Sequence, residues 1–314
     1  MNNILTAPSM GFEGFYLLEV IQEDGSLKQG PGLNTPFKNL LLNNFFTTIS
    51  PSSDLTPALY SCRVGTGSTP PAITDTALVS QIAISPQRSE EFVVTSAASP
   101  GTGYWKQIQA SFTFPIGGVI GNISEIGVSD YGNYLLSRSL IKDGLGNPTT
   151  ITLTATDQLK VKYSIRRTQP TTTISGTLAL TRDGASENHP WVWYPNSAAW
   201  NYPNPLPIFR DIVGNGTLYH VTEAPAANST TGTPAGITAY QSGGTTGVSS
   251  YNSSTKTVTI TYTFPIGTNF PVGFNIFRSL TSSEGEGYFY FPTPITKTAI
   301  QKLVITTSYT MIAL

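Results

Sequence analysis

A run of alternating apolar and polar residues occurs twice in this chain, 150 residues apart. The apolar positions are Ile108, Ala110, Phe112 and Phe114 in the first copy, and Val258, Ile260, Tyr262 and Phe264 in the second. Both copies continue into nearly the same hexamer, Phe/Tyr-Thr-Phe-Pro-Ile-Gly, at residues 112–117 and 262–267. Successive side chains of a strand point to opposite faces of a sheet, so this alternation predicts a strand with one buried face. The sequence therefore predicts one β module that is present twice.

The similarity between the two copies continues past the hexamer with a drifting offset. Residues 122–128 match 272–278 at an offset of 150, residues 134–137 match 288–291 at 154, and residues 158–161 match 302–305 at 144. Loops of different length between matching strands produce such a drift, because surface loops tolerate insertions better than core strands. We expect a mainly β protein with two antiparallel β-sandwich-like modules from an internal duplication, and with one or two short helices in the first.

Changes in composition and the positions of glycine and proline residues divide the chain into four segments. Residues 1–34 form an N-terminal hairpin or arm that turns at Glu23-Asp24-Gly25, and residues 35–168 form the first β module. A Trp- and Pro-rich connector follows at 169–212, and the second β module occupies 213–314. In the first module, Thr35 and Pro36 predict the start of an amphipathic helix that runs to Ile49. A second short helix is predicted at 73–82, capped by Thr74 or Asp75.

The composition excludes several classes of function. Charged residues make up 11% of the chain, against roughly 25% in an average soluble domain, which suits a protein packed against neighbours; a soluble β protein with a Thr-rich outer face is the alternative. The net charge of -1 gives no electrostatic footprint for nucleic acid. The sequence contains no run of 18 apolar residues, so it does not predict membrane insertion. No basic residue precedes Lys28, so we expect no signal peptide and synthesis in a cytosol.

The sequence offers no recognisable catalytic, cofactor-binding or metal-binding set. The only histidines are His189 and His220, and neither is accompanied by a Gly-x-Ser-x-Gly nucleophile motif. The acidic pairs Glu90-Glu91 and Glu284-x-Glu286 fit solvated positions better than a glycosidase site, and the polar turn at 183–188 lacks the ligand pattern of a calcium loop. The single cysteine, Cys62, is predicted to be a small strand residue. We therefore expect a protein that is not an enzyme and needs no cofactor.

Aromatic residues concentrate in the predicted connector. They are Trp191, Trp193, Tyr194, Trp200 and Tyr202. Nearby prolines predict irregular structure, and exposed Trp and Tyr side chains are typical anchors of protein interfaces and stacking platforms for sugars. These five residues are the candidates for an interface or a glycan-binding site. The alternative is that the tryptophans fill a groove between the two modules.

Four further strings resemble a module found in structural proteins of tailed bacteriophages, where it recurs in fibre, neck, collar and tail-associated components. The strings occupy residues 36–40, 64–71, 121–128 and 137–143, and the resemblance covers roughly residues 10–167. The second copy lacks the Gly-Thr-Gly-Ser-Thr-Pro-Pro string of residues 65–71. The resemblance implies a virion protein without enzymatic activity, made in the host cytoplasm and assembled as a homo-oligomer with other virion proteins on the neck, tail or head surface. A host-attachment protein that binds a receptor or a host-surface glycan through the aromatic candidates is the alternative.

Overall fold

The computed structural model describes residues 4–49, 59–85, 88, 93–99, 103–169, 172–182, 185–195, 216–222, 237–279 and 287–314. Within these ranges the chain is mainly β, with twenty-one strands and one short helix. In chain order the elements are β1 Ile4–Thr6, β2 Met10–Ile21, β3 Phe37–Lys38, β4 Leu40–Leu41, α1 Asn43–Ile49, β5 Ser61–Gly65, β6 Gln81–Ile84, β7 Val93–Ser99, β8 Gly103–Thr113, β9 Gly121–Ile123, β10 Glu125–Ser129, β11 Leu135–Leu140, β12 Ile151–Leu153, β13 Gln158–Gln169, β14 Ile174–Arg182, β15 Ala185–Pro195, β16 Gly216–Val221, β17 Ile237–Asn252, β18 Thr257–Phe264, β19 Phe270–Ser279, β20 Gly287–Lys297 and β21 Leu303–Ala313.

The first half of the protein, β2 to β13, is built from two main sheets. One has the order β4-β11-β10-β5-β6, and the other contains the run β7-β8-β13-β2; β9 and β12 form a separate small pair. The two main sheets pack face to face, since the Tyr16 hydroxyl on β2 lies 2.6 Å from the Ser137 hydroxyl on β11. The Tyr163 ring on β13 packs against Tyr16 in the same interior. This half is a β-sandwich.

The second half, β14 to β21, repeats these pairings. The order β15-β20-β19-β16-β17 corresponds to β4-β11-β10-β5-β6, and the run β17-β18-β21 corresponds to β7-β8-β13. Strand β17 connects the two runs into one continuous sheet, because residues 237–244 pair with β16 and residues 245–252 pair with β18. In the first half β6 and β7 divide this role. The predicted fold class, mainly antiparallel β with sandwich-like modules, is confirmed.

Strand register confirms the correspondence between the alternating runs and their partners. Phe112 lies opposite Val161 across β8 and β13, and Tyr262 lies opposite Ile305 across β18 and β21. The offsets of these two matches are the predicted 150 and 144. All of the predicted apolar positions in both runs are buried. The alternation in the sequence thus identified the core face of both strands.

The N-terminal strands join the two halves. Strand β1 pairs in parallel with β21 through Ile4 and Thr306, and the start of β2 also pairs in parallel with β21. Following the strand directions through β8, β13, β2, β21 and β18 shows that β8 and β18 run in opposite directions. The hexamers that end β8 and β18 therefore lie at opposite ends of the sheet.

The predicted N-terminal hairpin is only partly present. The chain turns at Gly25, whose φ is 81°, and the Gly25 amide donates to the Gln22 carbonyl at 2.9 Å. The short returning arm pairs through a bridge between Ile21 and Leu27, and the Lys28 amide donates to the Val20 carbonyl at 2.8 Å. Residues 11–21 pair along β13, so this segment is also part of the sheet.

The predicted helices differ from the structure. The helix begins at Asn43 and not after Thr35, because Phe37 and Lys38 pair with β2 and so take extended conformations. The second predicted helix, at 73–82, is wrong: the segment contains turns and then the start of β6. There the Asp75 carboxylate accepts from the Ala72 amide and from Arg138 and caps no helix.

The expectation of irregular structure in the Trp- and Pro-rich segment is wrong for the part that the structure describes. Residues 174–182 and 185–195 form the β14–β15 hairpin, which joins the second half through β20. Strand β15 accommodates Pro190 because β20 pairs only with residues 192–195, so the exposed Pro190 has a described strand partner on one side only.

Candidate functional site

A buried ion pair lies between the β10–β11 strands and the loop of residues 66–80 that covers them. Arg138 on β11 is 1% exposed and Glu125 on β10 is 0% exposed. The Arg138 guanidinium donates from Nε and Nη2 to Glu125 Oε2 at 3.1 and 2.9 Å, and from Nη1 to Asp75 Oδ2 at 2.6 Å. The two residues are brought together because Glu125 pairs with Leu140 and Gly127 pairs with Arg138 in adjacent antiparallel strands. Charges this deeply buried have to be paired to be tolerated.

The same pair holds the Gly-Thr-Gly-Ser-Thr-Pro-Pro loop in place. Glu125 Oε1 accepts from the amides of Gly67 at 3.0 Å and Ser80 at 2.7 Å, while Arg138 Nη2 donates to the Thr69 carbonyl at 2.9 Å. A Cβ atom on Gly67 would lie 2.4 Å from Glu125 Oε1, so the close approach requires glycine. The loop, Glu125 and Arg138 therefore form one structural unit, which we call the Arg138 cluster.

The charge state of Asp75 is tied to this cluster. Burial raises the pKa of Asp75, but the hydrogen bonds from the Ala72 amide and the Arg138 guanidinium outweigh burial and lower it overall. Both Glu125 oxygens and the bonded Asp75 oxygen are occupied by donors from the protein itself. This arrangement is that of an anchor for a loop, because the hydrogen bonds of these oxygens are made within the protein.

The structure separates the five aromatic candidates. Trp191 and Trp193 are only 5% and 3% exposed, and Trp191 packs edge-on against Phe289. Tyr194 is half-buried beside Tyr290. Trp200 and Tyr202 lie outside the described residues. Trp191 and Trp193 thus belong to the core of the second half and have no open face for a sugar or a partner protein.

The other residues considered from the sequence do not come together. His189 contacts Glu187, whereas His220 Nδ1 lies 2.8 Å from the Gly273 carbonyl. Cys62 is a fully buried residue of β5, in agreement with its prediction. The acidic residues 90, 91, 284 and 286 and the turn residues 183 and 184 lie outside the described ranges. Among the described residues, no group of three His, Cys, Asp or Glu is arranged to hold a metal ion.

The repeated Pro-Ile-Gly turns expose one isoleucine each. Gly117 and Gly267 have φ values of 66° and 95°, which fit the third position of a tight turn. The preceding residues, Ile116 and Ile266, are 67% and 69% exposed. Together with the reversed strand directions, this places one apolar tip at each end of the sheet.

Beside each of these turns lies a second repeated turn that the sequence analysis missed. Thr154 donates its amide to Asp157 Oδ2 at 2.8 Å, and Thr298 donates its amide to Gln301 Oε1 at 3.0 Å. The signal was available as Thr-Ala-Thr-Asp at 154–157 and Thr-Ala-Ile-Gln at 298–301, at the offset of 144 already used for β13 and β21. It adds the exposed Ile300 to the apolar tip of the second half.

Within the described ranges, no helix is both long enough and apolar enough to cross a membrane. Comparisons of the chain with protein families, with curated proteins and with solved structures found no match. The geometry of the Arg138 cluster and of the two apolar tips is therefore the basis for any functional assignment.

Proposed function

We propose that this chain is a non-enzymatic structural protein of a tailed-bacteriophage virion, which assembles as a homo-oligomer on the neck, tail or head surface. The observation that carries the proposal is the Arg138 cluster. It unites three of the four sequence strings that resemble the phage module, namely 64–71, 121–128 and 137–143, through direct hydrogen bonds. The fourth string, at 36–40, is linked to the same half by the bond from Asn39 Nδ2 to the Tyr163 hydroxyl at 3.1 Å.

These contacts give the strings a physical reason to occur together. A buried Arg–Glu pair is costly unless its hydrogen bonds are all made, so the loop glycines, Glu125 and Arg138 depend on one another. A module that depends on such a set retains it wherever the module is used as a scaffold. This favours the structural role that the resemblance implies.

The two apolar tips support assembly. Ile116 at one end of the sheet and Ile266 with Ile300 at the other give each molecule two separate contact points. A protomer with contacts at opposite ends can join neighbours on both sides, which closed rings and stacked arrays require. With few charged side chains, such contacts carry a small desolvation cost.

Fractionation tests whether the chain is a component of the virion. Particles are purified on a density gradient from a lysate that contains the protein, and peptides of the chain are quantified by mass spectrometry in each fraction. We expect the chain to band with intact particles at a constant ratio to the major capsid protein. Recovery in the soluble fractions alone would contradict a virion location.

The assembly surface is testable on the purified chain. We expect Ile116→Asp and Ile266→Asp to lower the oligomer mass measured by sedimentation velocity. Leu145→Asp is the matched control, because Leu145 is also a strongly exposed apolar residue but lies in a different turn of the first half. An oligomer that persists in both tip variants would exclude the tips as the interface.

The receptor- or glycan-binding alternative has no support from the described residues, because Trp191 and Trp193 are core residues. The particle experiment and an adsorption assay with a Trp200→Ala variant separate the two proposals, since loss of adsorption by otherwise intact particles would favour attachment.

A further inference from the structure

The apolar tip of the first half rests on the turn beside it. The Gly117 amide donates to the Asp157 carbonyl at 3.1 Å, and a Cβ atom on Gly117 would lie 2.7 Å from a backbone oxygen of the neighbouring turn. The Asp157 carboxylate accepts from the Thr154 amide at 2.8 Å and so closes residues 154–157 into that turn. The position of Ile116 therefore depends on the Asp157 side chain.

A lysine from the N-terminal hairpin completes this contact. The Lys28 ammonium donates to Asp157 Oδ2 at 3.1 Å and to the Thr152 carbonyl at 2.9 Å. The Asp157 side chain is 4% exposed, and that of Lys28 is 29% exposed. This ion pair thus joins the hairpin to the turn that supports the tip, and it is largely shielded from water.

Among the described residues, Lys28 is the charged group in contact with Asp157. Burial raises the pKa of Asp157, but the Thr154 amide and the Lys28 ammonium lower it overall. The Pro-Ile-Gly turn and β12 beside it carry no titratable side chain, and Glu23 and Asp24 of the hairpin are exposed. With a lowered pKa, the carboxylate stabilises the folded tip above about pH 4, and this stabilisation is lost as the pH falls through the folded-state value.

The tip of the second half is held by groups of a different kind. The neutral Gln301 side chain accepts from the Thr298 amide at 3.0 Å, where the first half uses a carboxylate. The Lys297 ammonium, 2% exposed, donates to three backbone carbonyls, those of Pro265, Thr268 and Thr298. These bonds use all three N–H donors of the ammonium and join the two turns directly. Acid only adds protons, so it leaves Lys297 charged and Gln301 neutral.

We propose that the Lys28–Asp157 pair is a pH-sensitive latch for the tip of the first half, whereas the tip of the second half is insensitive to acid. Protonation of Asp157 removes the charge that holds Lys28 and weakens the bond to the Thr154 amide, so the turn beneath Ile116 loosens. The consequence for assembly rests on the proposed function: acid breaks the contacts at one end of the molecule and spares those at the other.

Hydrogen exchange followed by mass spectrometry tests each tip separately. The full chain is labelled at pH 7 and pH 3, at a concentration too low for assembly, and protection is corrected for the intrinsic exchange rate. The probes are peptides that contain Gly117 or Gly267, whose amide donates to the Ala299 carbonyl. We expect protection at Gly117 to fall about tenfold at pH 3, as for loss of a hydrogen bond to a charged group, and protection at Gly267 to change less than about twofold.

Two variants should exchange this response between the tips. Asp157→Asn should abolish the acid response at Gly117. Gln301→Glu places a carboxylate on the Thr298 amide and should create an acid response at Gly267. Because Gln301→Glu changes only the second half, it keeps the latch testable if Asp157→Asn does not fold.

Asp143→Asn is the matched control, because the Asp143 carboxylate accepts from backbone amides in another turn of the first half. It should respond to acid as the unaltered chain does. An acid response at Gly117 that persists in Asp157→Asn, or an equal loss of protection at both tips of the unaltered chain, would overturn the latch. Sedimentation velocity at higher concentration separates the latch from assembly: an oligomer of constant mass beside a changed Gly117 would count against the tips as contacts only.

Discussion

Two nitrogen atoms of Arg138 donate to one oxygen of Glu125, and both side chains are inaccessible to solvent. Removing one partner of such a pair leaves the other as an uncompensated buried charge, whereas an exposed pair is compensated by water. The Arg138 cluster is therefore the point where a single substitution has the largest expected effect on the first half.

We expect Arg138→Met to lower the free energy of unfolding by about 3–5 kcal/mol, measured by urea denaturation. The control is Glu13→Gln, which breaks the exposed pair between Glu13 and Lys38 and should cost less than about 1 kcal/mol. Adding Glu125→Gln to Arg138→Met should cost less than the sum of the two single changes, since the charge left behind is then removed. Equal small losses in all variants would contradict a central role for the pair.

The lowered pKa of Asp157 predicts that the free energy of unfolding decreases at acid pH. Burial raises its pKa, but bonds from the Thr154 amide and Lys28 outweigh burial, so the pKa is lowered in the folded protein. A lowered folded-state pKa stabilises the protein above about pH 4, the pKa of an unfolded Asp, and this contribution is lost as the pH falls through the folded-state value.

The Asp157→Asn variant should consequently lose less stability than the unaltered chain between pH 7 and pH 3, as measured by thermal unfolding. The second half supplies a natural precedent, because the neutral Gln301 makes the equivalent bond to Thr298. If Tm falls by the same amount between pH 7 and pH 3 in Asp157→Asn and in the unaltered chain, Asp157 does not contribute to the loss of stability in acid.

Gly287 should not tolerate a methyl group. A Cβ atom there would lie 2.4 Å from the buried Trp193 ring, so Gly287→Ala should cost about 1–3 kcal/mol through overpacking. Gly30→Ala is the control, since the nearest atom to its Cβ would be 4.0 Å away, and its effect should stay within about 0.5 kcal/mol. Chemical denaturation of both variants measures the difference, and comparable stability of the two would place Trp193 outside the core.

Cys62 should report on unfolding of the first half. Burial raises the pKa of its thiol, and a buried, protonated thiol does not react with alkylating reagents. We expect negligible labelling by iodoacetamide at pH 8 in buffer and complete labelling in urea, read out by intact mass. Because the chain has only one cysteine, no second thiol complicates the result. Rapid labelling of the folded protein would contradict the burial of β5.

Patterns of side-chain polarity allowed much of the fold to be predicted. Phe112 and Tyr262 were identified as core residues with equivalent partners because alternation and repetition both follow directly from sheet geometry. The start of the helix was not predictable in this way. Phe37 has helical spacing to Leu41, but pairing with β2 overrides local preference at that position.

The candidate site was predictable only in part. Glu125 and Arg138 belong to two separate strings of the sequence, and no spacing rule predicts that residues of two strands meet beneath a loop. The tryptophans were noticed for their chemistry, but whether Trp191 faces the core or the solvent depends on the β15–β20 pairing, which the sequence does not reveal. The surrounding prolines predict irregular structure, because the sequence does not show that Pro190 lacks a described partner on one side of β15.

Ile4 pairs in parallel with Thr306, although the two residues are synthesised at opposite ends of translation. Strand β2 can find β13 once the first half has emerged, but the sheet of the second half must wait for β21 before β1 can be placed beside it. A nascent chain that stops before β21 therefore keeps β1 and the start of β2 without their parallel partner. The two halves can therefore be joined by these strands only after synthesis of the chain has reached β21.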